Sequence, residues 1–438
     1  MMSKKKMLAM MTALVMLVLA VPLMLVGCGR SGCDEDCNCV LEQGNPVFYF
    51  YTTFGTLPSL YASIHMYTHT NPSFKFIGRQ NTFYEGAMPA HVEFMTEVRH
   101  AGQGDDIRST AESMRDRVAA LEEKYENAMF RFFVDDLRVM MPFYSALRAG
   151  VPMERIHVTL LSDGTGTYGA LFDNHYRDDI GAHDAWERWE YHYNRFHNVL
   201  LPQFKDANAA VSYSTLGWSY MPYVAAQLPN VQYWMQFPEY RFLVDTNPQV
   251  LRELMTANLV KKQPADLINT LHPALREEFF DGVLNNPDFN IDEQPLRPIL
   301  DKAFAEAEEA GLPIMIISGS NPNQNLTELV DMVFAEFGAC GVNYTFMWKA
   351  HPARTHEDAY MAGRGITVLP ARIPMEVLLW AFPNVYIGGY QSSLYMAATT
   401  QVRFFMYPSG VTALPGILHV LYTHGFFPNV DGNHFHAV

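Results

Sequence analysis

Several groups of polar residues follow directly on apolar runs, where their side chains could bind a phosphate. The clearest is Lys349-Ala350-His351-Pro352, which ends the apolar run from Tyr344 to Trp348. Such a run predicts a β-strand, and ligands of open α/β sheets bind outside the carboxyl ends of the strands. Lys349 and His351 would suit a phosphate there. Taken alone, the motif is equally compatible with a surface loop that closes a βα unit.

Three further polar groups lie at predicted strand ends or helix starts in the same half of the chain. They are Ser318-Gly319-Ser320, Glu376 in a helix that Pro374 is expected to begin, and Ser392-Ser393 at a helix start. Hydroxyls and free helix amides suit a phosphate, and a carboxylate suits a ribose diol. The chain has no GxxxxGK[ST] loop, and this half of it has no GxGxxG after a predicted strand, so the predicted phosphate site lacks the ATPase and dinucleotide fingerprints. The set predicts a nucleotide-sugar site.

The first half of the chain contributes carboxylates at two predicted strand ends. Asp163 follows the strand predicted from Ile156 to Leu161, and Asp135-Asp136 follows the one predicted from Met129 to Val134. Asp163 precedes Gly164, so it could also serve only to cap a turn. The aspartate pair resembles a metal pair, but no other metal ligands cluster nearby, which favours a strand-end cap or a substrate contact. Because Lys349, His351 and the helix start at Ser392 would supply the positive charge, we expect no metal and no cofactor.

The elements that must position these residues alternate between strands and helices, which predicts parallel sheets covered by helices on both faces. The pattern occurs twice and predicts two Rossmann-like domains facing each other across a cleft, the GT-B type of α/β fold. We expect the first domain at residues 46–260, a crossover at 261–298 and the second domain at 299–438. The aromatic-rich stretch from Gly181 to Asn258 shows no clear strands and is expected to be a mainly helical insertion.

Composition and net charge limit the classes of protein to which the chain can belong. The 438 residues are 49% hydrophobic and only 18% charged, so the chain can bury a large core. Its formal charge of -15 argues against general binding to nucleic acids or anionic lipids. An anionic substrate must therefore meet a local cationic site, and we expect no nucleic-acid partner and a monomeric protein.

The N-terminus has the features of an export signal. Lys4, Lys5 and Lys6 precede an uncharged apolar run from Met7 to Val26, followed by Gly27-Cys28. The stretch looks like a lipobox, which predicts a signal peptide at residues 1–27, lipidation of Cys28, a tether at 28–45 and a membrane-anchored, extracytoplasmic bacterial lipoprotein. The alternative is an uncleaved transmembrane helix, since the run is about long enough to span a bilayer. Within the tether, Cys33, Cys37 and Cys39 could bind zinc, but the tether has no partner histidine, and one local disulfide with a free thiol is the preferred interpretation.

Three short motifs, in order and with fitting separations, resemble the bacterial sialyltransferases of glycosyltransferase family 80. They are Ser162-Asp163-Gly164, Lys349-Ala350-His351-Pro352 and Ser392-Ser393, with flanking similarity at Leu57-Pro58-Ser59-Leu60, Glu376-Val377-Leu378 and Ser393-Leu394-Tyr395. The likeness extends from about Val47 to the C-terminus and is weakest in the middle of the chain.

The resemblance implies transfer of sialic acid from CMP-sialic acid to a hydroxyl of a galactose-terminated glycan, with inversion at the anomeric carbon. Asp163 would be the general base, and His351 would stabilise or protonate the departing CMP phosphate. The donor-binding residues would be Lys349 and Pro352 near the cytosine, Glu376 at the ribose, Ser392 and Ser393 at the phosphate, and the Ser318-Gly319-Ser320 loop.

Departures from the family pattern leave the donor sugar open. Ser162 stands where relatives have an acidic residue, and Asp135 stands where an asparagine helps to hold sialic acid. A carboxylate at residue 135 facing the carboxylate of sialic acid would be unfavourable. A donor in which CMP carries another sugar, such as Kdo, therefore stays an alternative. A non-catalytic lipoprotein that binds a sugar or nucleotide between two α/β domains is the other alternative, although such a protein has no need for a base opposite a phosphate.

Overall fold

The computed structural model describes residues 45–77, 88–95, 105–162, 167, 182–212, 215–216, 222–236, 238, 258–319, 327, 331, 334–335, 344–351, 355, 357–389, 403–407 and 434–437. Within these residues, we find no helix with the length and apolar character that crossing a membrane requires. The predicted signal peptide and nearly all of the predicted tether lie outside the described residues.

Within the described residues, the first sheet has seven parallel strands in the order β3-β2-β1-β4-β5-β6-β7. They are β1 (Val47–Thr53), β2 (Ser73–Ile77), β3 (Val92–Met95), β4 (Met129–Asp135), β5 (Ile156–Leu161), β6 (Val231–Met235) and β7 (Leu259–Lys261). The described part of the second sheet has six parallel strands in the order β10-β9-β8-β11-β12-β13. They are β8 (Ile314–Ser318), β9 (Thr345–Lys349), β10 (Thr367–Leu369), β11 (Tyr386–Gly389), β12 (Arg403–Tyr407) and β13 (His434–Ala437).

Helices connect these strands. They are α1 (Thr56–Met66), α2 (Asp105–Lys124), α3 (Met140–Arg148), α4 (Ala182–Arg195), α5 (Leu201–Lys205), α6 (Pro222–Ala225), α7 (Pro264–Thr270), α8 (Pro273–Leu284), α9 (Leu296–Glu309), α10 (Asp358–Gly363) and α11 (Met375–Ala381). A π-helical turn, Phe196–Leu200, joins α4 to α5. Both sheets reverse their strand order once, β1 beside β4 and β8 beside β11, which is the Rossmann pattern and creates a topological switch point in each sheet.

The prediction of a strand-free stretch between Gly181 and Asn258 is wrong at β6. This strand pairs with β5 on one side and β7 on the other, and its residues Val231, Tyr233, Trp234 and Met235 are buried. A strand that is covered on both faces loses the apolar-polar alternation that identifies strands in a sequence. Aromatic residues suit both helix packing and buried strands, so the pattern alone favoured the wrong element.

The segment between the two sheets, for which a crossover was predicted, contains helices. Pro264 and Pro273 are the first residues of α7 and α8, where the missing proline N–H would have no helical partner in any case. Phe279 of α8 packs edge to face on Tyr67 after α1, and α8 also contacts α11. This helix therefore packs against elements attached to both sheets.

The core of the first sheet is strongly aromatic on both faces of β1. On one face, the Phe50 ring lies 5.1 Å from the rings of Phe74 and Phe132. On the other face, Tyr51 lies 5.1 Å from Phe133. Alternate residues of a strand point to opposite faces, so a parallel strand covered by helices on both sides is a nearly continuous apolar run.

The Tyr51 face contains a buried chain of hydrogen bonds whose direction can be derived. Tyr51 Oη lies 2.8 Å from both His65 Nδ1 and His69 Nε2. The backbone N–H of Asn71 donates to His69 Nδ1 at 3.2 Å. Because that nitrogen accepts, neutral His69 carries its proton on Nε2 and donates it to Tyr51 Oη. The Tyr51 hydroxyl is then left to donate to His65 Nδ1.

Both imidazoles are held neutral. Burial lowers the pKa of His65 well below its usual value and lowers the pKa of His69 to about 3. The pKa of His65 is lowered further by His69, by Arg131 on the neighbouring β4 and by Lys262. The pKa of His69 is lowered further by His91 and Arg131. A histidine that is neutral when folded takes up its proton only on unfolding, so stability falls as the pH drops below the unfolded value of about 6.5.

His69→Gln is expected to make the protein less sensitive to acid. Glutamine retains a donor and an acceptor but does not titrate, so the variant should lose about 2 kcal/mol less of its unfolding free energy between pH 7 and pH 5 than the wild type. Urea denaturation at a series of pH values measures this difference. His272→Gln, at an exposed position, is the control. Parallel pH curves for wild type and His69→Gln would contradict the prediction.

Candidate functional site

Of the predicted site residues that the structure describes, Ser318 and Asp135 end strands at the two switch points, and Lys349 ends the neighbouring β9. At the second sheet, Ser318 ends β8 and Gly389 ends β11, its neighbour. At the first sheet, Thr53 ends β1 and Asp135 ends the adjacent β4. In open α/β sheets these positions flank the crevice where ligands bind.

Ser318 uses its hydroxyl within the second sheet. The side chain is buried, and its Oγ donates to the backbone carbonyl of Gly388 at 3.1 Å, across the switch point from β8 to β11. The hydrogen bond ties β8 to β11 at the switch point. A contact of Ser318 with the donor stays a prediction.

Gly319 lies in close contact with the backbone that leads to His351. Its N–H donates to the carbonyl of Lys349 at 2.8 Å. A Cβ at this position would lie 3.1 Å from Ala350 Cα, His351 N and the Trp348 ring. Two of these three atoms belong to the backbone, so they cannot move aside as a side-chain tip could. The absence of a side chain at Gly319 therefore allows the β8 and β9 ends to approach each other.

Lys349 is the last residue of β9 and is buried, so it does not belong to a surface loop. Its Nζ donates to the carbonyls of Ala350 at 3.3 Å and Ala371 at 3.1 Å. Burial lowers the pKa of Lys349 to about 8, against the opposing effects of Glu376 and Asp358. Lys349, which was predicted to supply a cation for a phosphate, thus connects the end of β9 to the turn that precedes α11.

Glu376 is the second residue of α11, which begins at Met375, with Pro374 as its cap and not as its first residue. The side chain is buried, and burial raises its pKa, while its own backbone N–H and the Lys349 ammonium lower it. A desolvated carboxylate at a helix N-terminus is a strong hydrogen-bond acceptor when ionised. Such a carboxylate would suit a diol, and its role at the ribose stays a prediction.

His351 lies two residues beyond β9 and is half-buried. Burial lowers its pKa, and the Lys349 ammonium lowers it further, so the imidazole is mainly neutral at pH 7. A neutral imidazole can donate one hydrogen bond and accept another. An arriving phosphate anion would raise its pKa again.

At the first sheet, Asp135 is engaged with the backbone. Its Oδ2 accepts from the N–H groups of Phe54 at 2.8 Å and Gly55 at 3.2 Å, immediately before α1. Burial raises the pKa of Asp135 to about 7, against the opposing effect of Arg138. One carboxylate oxygen therefore stabilises the start of α1, which agrees with the strand-end cap considered from the sequence.

Asp136 forms a second buried network that sequence reasoning did not predict as functional. Its Oδ2 accepts hydrogen bonds from Thr167 Oγ1 at 2.5 Å and Tyr233 Oη at 2.6 Å. Burial raises its pKa to about 6, against the lowering effect of these two hydroxyls. The partners lie 31 and 97 residues along the chain. The adjacent Asp135-Asp136 pair was the only signal available in the sequence.

Six predicted site residues lie outside the described residues. They are Cys28, Asp163, Ser320, Pro352, Ser392 and Ser393. Asp163 is directly preceded by Ser162, which is buried and whose N–H donates to the Trp234 carbonyl at 3.1 Å. Among the described residues, no group of three or more histidine, cysteine, aspartate or glutamate side chains could hold a metal ion.

Comparison with known proteins identifies the fold. No protein-family profile matches the sequence, and no curated protein matches it significantly. Among solved structures, the α/β-galactoside α-2,3-sialyltransferase of Photobacterium phosphoreum is similar with a TM-score of 0.63 and 12% identity, over 89% of this chain and 98% of that one. The GT-B domain of the Photobacterium damselae sialyltransferase is similar with a TM-score of 0.62 and 16% identity, over 89% of this chain and 100% of that one.

A third similar structure is a 2,6-sialyltransferase of Photobacterium sp. JT-ISH-224, solved with the donor product CMP and the acceptor lactose. It has a TM-score of 0.63 and 12% identity, over 89% of this chain and 78% of that one. The resemblance to bacterial sialyltransferases seen in the sequence is thus confirmed at the level of the fold. Two Rossmann-type parallel sheets in series, matched over nearly the whole chain, show that this protein has the GT-B fold.

Proposed function

We propose that the protein is an inverting sialyltransferase that moves sialic acid from CMP-sialic acid to a hydroxyl of a galactose-terminated glycan. The observation that carries the proposal is the position of His351, whose backbone lies against Gly319 at the end of β8, with the buried Lys349 acting on it and the buried Glu376 acting on Lys349. The similar 2,6-sialyltransferase was solved with CMP and lactose, which supports a nucleotide-sugar donor and a glycan acceptor here.

In the proposed reaction, the acceptor hydroxyl oxygen forms a bond to the anomeric carbon of sialic acid. The bond from that carbon to the CMP phosphate oxygen breaks, and its electron pair leaves with CMP. Asp163 takes the proton of the acceptor hydroxyl as general base. His351 stabilises the departing phosphate with its N–H and can transfer a proton to it. Because the sugar cation resembles that of glycoside hydrolysis, the enzyme supplies mainly proton transfer and charge stabilisation.

The described contacts modify the predicted donor site. Lys349 supports the site indirectly, because its hydrogen bonds join the His351 segment to the turn before α11. Glu376 accepts hydrogen bonds from the ribose hydroxyls. The phosphate would be held by Ser392 and Ser393 with the free amides of their helix start. No metal is assigned to the reaction, and the active unit is a monomer.

The direct test is to incubate the purified chain with CMP-sialic acid and a galactoside such as lactose. Acceptor-dependent release of CMP and a sialylated product are expected, and linkage analysis of that product distinguishes 2,3 from 2,6 transfer. CMP-Kdo in a parallel reaction tests the alternative donor. A protein that binds CMP but releases none above background with either donor would be a binding protein, and the proposal would fail.

Gly319→Ala is expected to reduce transfer by about 10-fold or more. The new methyl group must displace the Ala350 and His351 backbone by a few tenths of an ångström, and small misplacements of catalytic groups have large effects on rate. Gly363→Ala is the matched control, because nothing lies within 4 Å of a Cβ there. Steady-state kinetics of both variants check the prediction. Equal activities would show that the close approach at Gly319 is unimportant.

We propose as well that Cys28 is lipidated and anchors the protein outside the cytoplasmic membrane. The three lysines, the apolar run and the Gly27-Cys28 pair support this proposal. Expression with labelled palmitate is expected to label the wild type and not Cys28→Ser, while Cys33→Ser retains the label. Incorporation into Cys28→Ser would exclude this anchor.

A further inference from the structure

A half-buried phenyl ring, Phe54, lies beside the switch point of the first sheet, and the proposed reaction gives it no role. We infer that Phe54 binds the galactose ring of the acceptor by stacking against the apolar face of that ring. The inference rests on the proposed function, because that function supplies the glycan acceptor. It goes further by naming a residue that selects the acceptor.

The Phe54 ring lies where the strand order of the first sheet reverses. Phe54 directly follows β1, and Arg138 ends the short helical turn that follows β4. The guanidinium carbon of Arg138 lies 5.0 Å from the centre of the Phe54 ring. Because β1 and β4 are neighbours at the switch point, this contact places the ring at the carboxyl ends of both strands. Ligands of open α/β sheets bind at such a position.

The surroundings of this ring differ from those of the core phenyl rings. Within the part of the chain that the structure describes, Arg138 packs on the Phe54 ring and no other aromatic ring does. By contrast, the fully buried Phe50 lies 5.1 Å from the rings of both Phe74 and Phe132. A phenyl ring that stays partly exposed lacks some of the free energy that complete burial provides. A ligand with an apolar face would supply the missing contact.

The backbone that carries the ring is fixed by buried polar side chains. Asp135 Oδ2 accepts hydrogen bonds from the N–H groups of Phe54 at 2.8 Å and Gly55 at 3.2 Å. On the other side, Lys75 Nζ donates to Thr53 Oγ1 at 2.6 Å, and both of these side chains are buried. These hydrogen bonds hold the residues before and after the ring as well as Phe54 itself. A binding group that is already held in place loses little conformational entropy when its ligand arrives.

The chemistry of a phenyl face suits galactose. An aromatic ring has a negative face, which attracts the weakly positive hydrogens of C–H groups. Galactose presents C–H groups together on one side of its ring, because its axial hydroxyl lies on the opposite side. The phenyl ring is also uncharged, so it suits a neutral acceptor sugar and gives no attraction to the carboxylate or phosphate of the donor.

The test combines transfer kinetics with lactose binding, measured by saturation-transfer NMR, in Phe54→Ala and Phe54→Tyr. We expect Phe54→Ala to raise the acceptor KM about 10-fold, with kcat and the donor KM changed less than about threefold. Phe54→Tyr keeps an aromatic face, so its acceptor KM should stay within about threefold of wild type. A ring with only a structural role would lower the melting temperature and leave the ratio of the two KM values unchanged.

Tyr191→Ala is the control, because Tyr191 is an aromatic residue on α4 with 58% of its surface exposed. Both KM values should stay at the wild-type level in this variant. The inference is overturned if Phe54→Ala keeps the wild-type acceptor KM, or if its acceptor and donor KM values rise together. Should Phe54→Ala fail to fold, Phe54→Leu decides, because leucine keeps the apolar character without a flat ring.

Lactose binding separates this inference from the proposed function, because the NMR measurement needs no turnover. A wild type that binds lactose and transfers nothing would reject the reaction, while loss of the lactose signal in Phe54→Ala would still support the inference. An active wild type whose Phe54→Ala variant shows unchanged lactose signals and acceptor KM would keep the reaction and reject the inference. A wild type that gives no lactose signal would also reject it.

Discussion

Asp163→Asn is expected to lower kcat for sialic acid transfer by about 10²- to 10⁴-fold, the range that general acid–base catalysis supplies. Asparagine has nearly the same size and keeps an oxygen acceptor, but it cannot take up the proton of the acceptor hydroxyl. The affinity for CMP should stay within about twofold, because the proposed donor contacts come from the second sheet. Steady-state kinetics and calorimetric titration with CMP measure the two effects separately.

A suitable control for this variant is Asp184→Asn, an exposed aspartate at the start of α4. It should behave as wild type in both assays. Undiminished turnover in Asp163→Asn would exclude the residue as the base. A parallel loss of CMP affinity and turnover would instead place Asp163 at the donor, where the proposed mechanism has no role for it.

Lys349→Met should weaken CMP binding by at least about 10-fold and lower the unfolding free energy by about 3–5 kcal/mol. The change leaves the carbonyls of Ala350 and Ala371 without the Lys349 hydrogen bonds, and it leaves Glu376 without the cation that opposes its burial. Both consequences act on the backbone around His351 and on the turn before α11. CMP titration and urea denaturation measure them.

The double variant Lys349→Met/Glu376→Gln distinguishes a structural lysine from one that contacts the ligand. Removal of the unopposed carboxylate should restore part of the stability, because a buried charge without its partner is the main penalty. CMP affinity should stay low, since the proposed ribose acceptor is weakened as well. Wild-type CMP affinity in Lys349→Met would mean that neither the lysine nor the backbone it joins matters for the donor. Lys302→Met, at an exposed position on α9, is the control.

Much of the fold was predictable because buried parallel strands are short apolar runs with clear ends. The runs at β1, β4, β5, β8 and β9 lie within a residue or two of their predicted positions. Strands β3, β6, β7, β12 and β13 were missed. Three of these, β3, β7 and β13, have only four, three and four residues, too few for a pattern to stand out. The repeated alternation of strand and helix was enough to predict two Rossmann-like units.

Side-chain roles were less predictable than strand ends. Lys349 and Ser318 end their strands as expected, but Lys349 Nζ donates to Ala371, 22 residues away, and Ser318 Oγ donates to Gly388, 70 residues away. A local motif carries no information about such partners, because they meet only when the sheet and its crossovers have formed. The same reason explains why Asp136 was overlooked.

The sequence by itself determined which residue types end or follow the strands: a cation and imidazole at Lys349 and His351, a hydroxyl at Ser318, and carboxylates at Asp135 and Asp163. It did so because a strand's carboxyl end is marked by the change from apolar to polar residues. Only the tertiary structure decided which of them face inward. Burial makes an unpaired polar group costly, so Lys349, Ser318 and Asp135 form hydrogen bonds with the backbone. His351 remains half-buried at the second sheet.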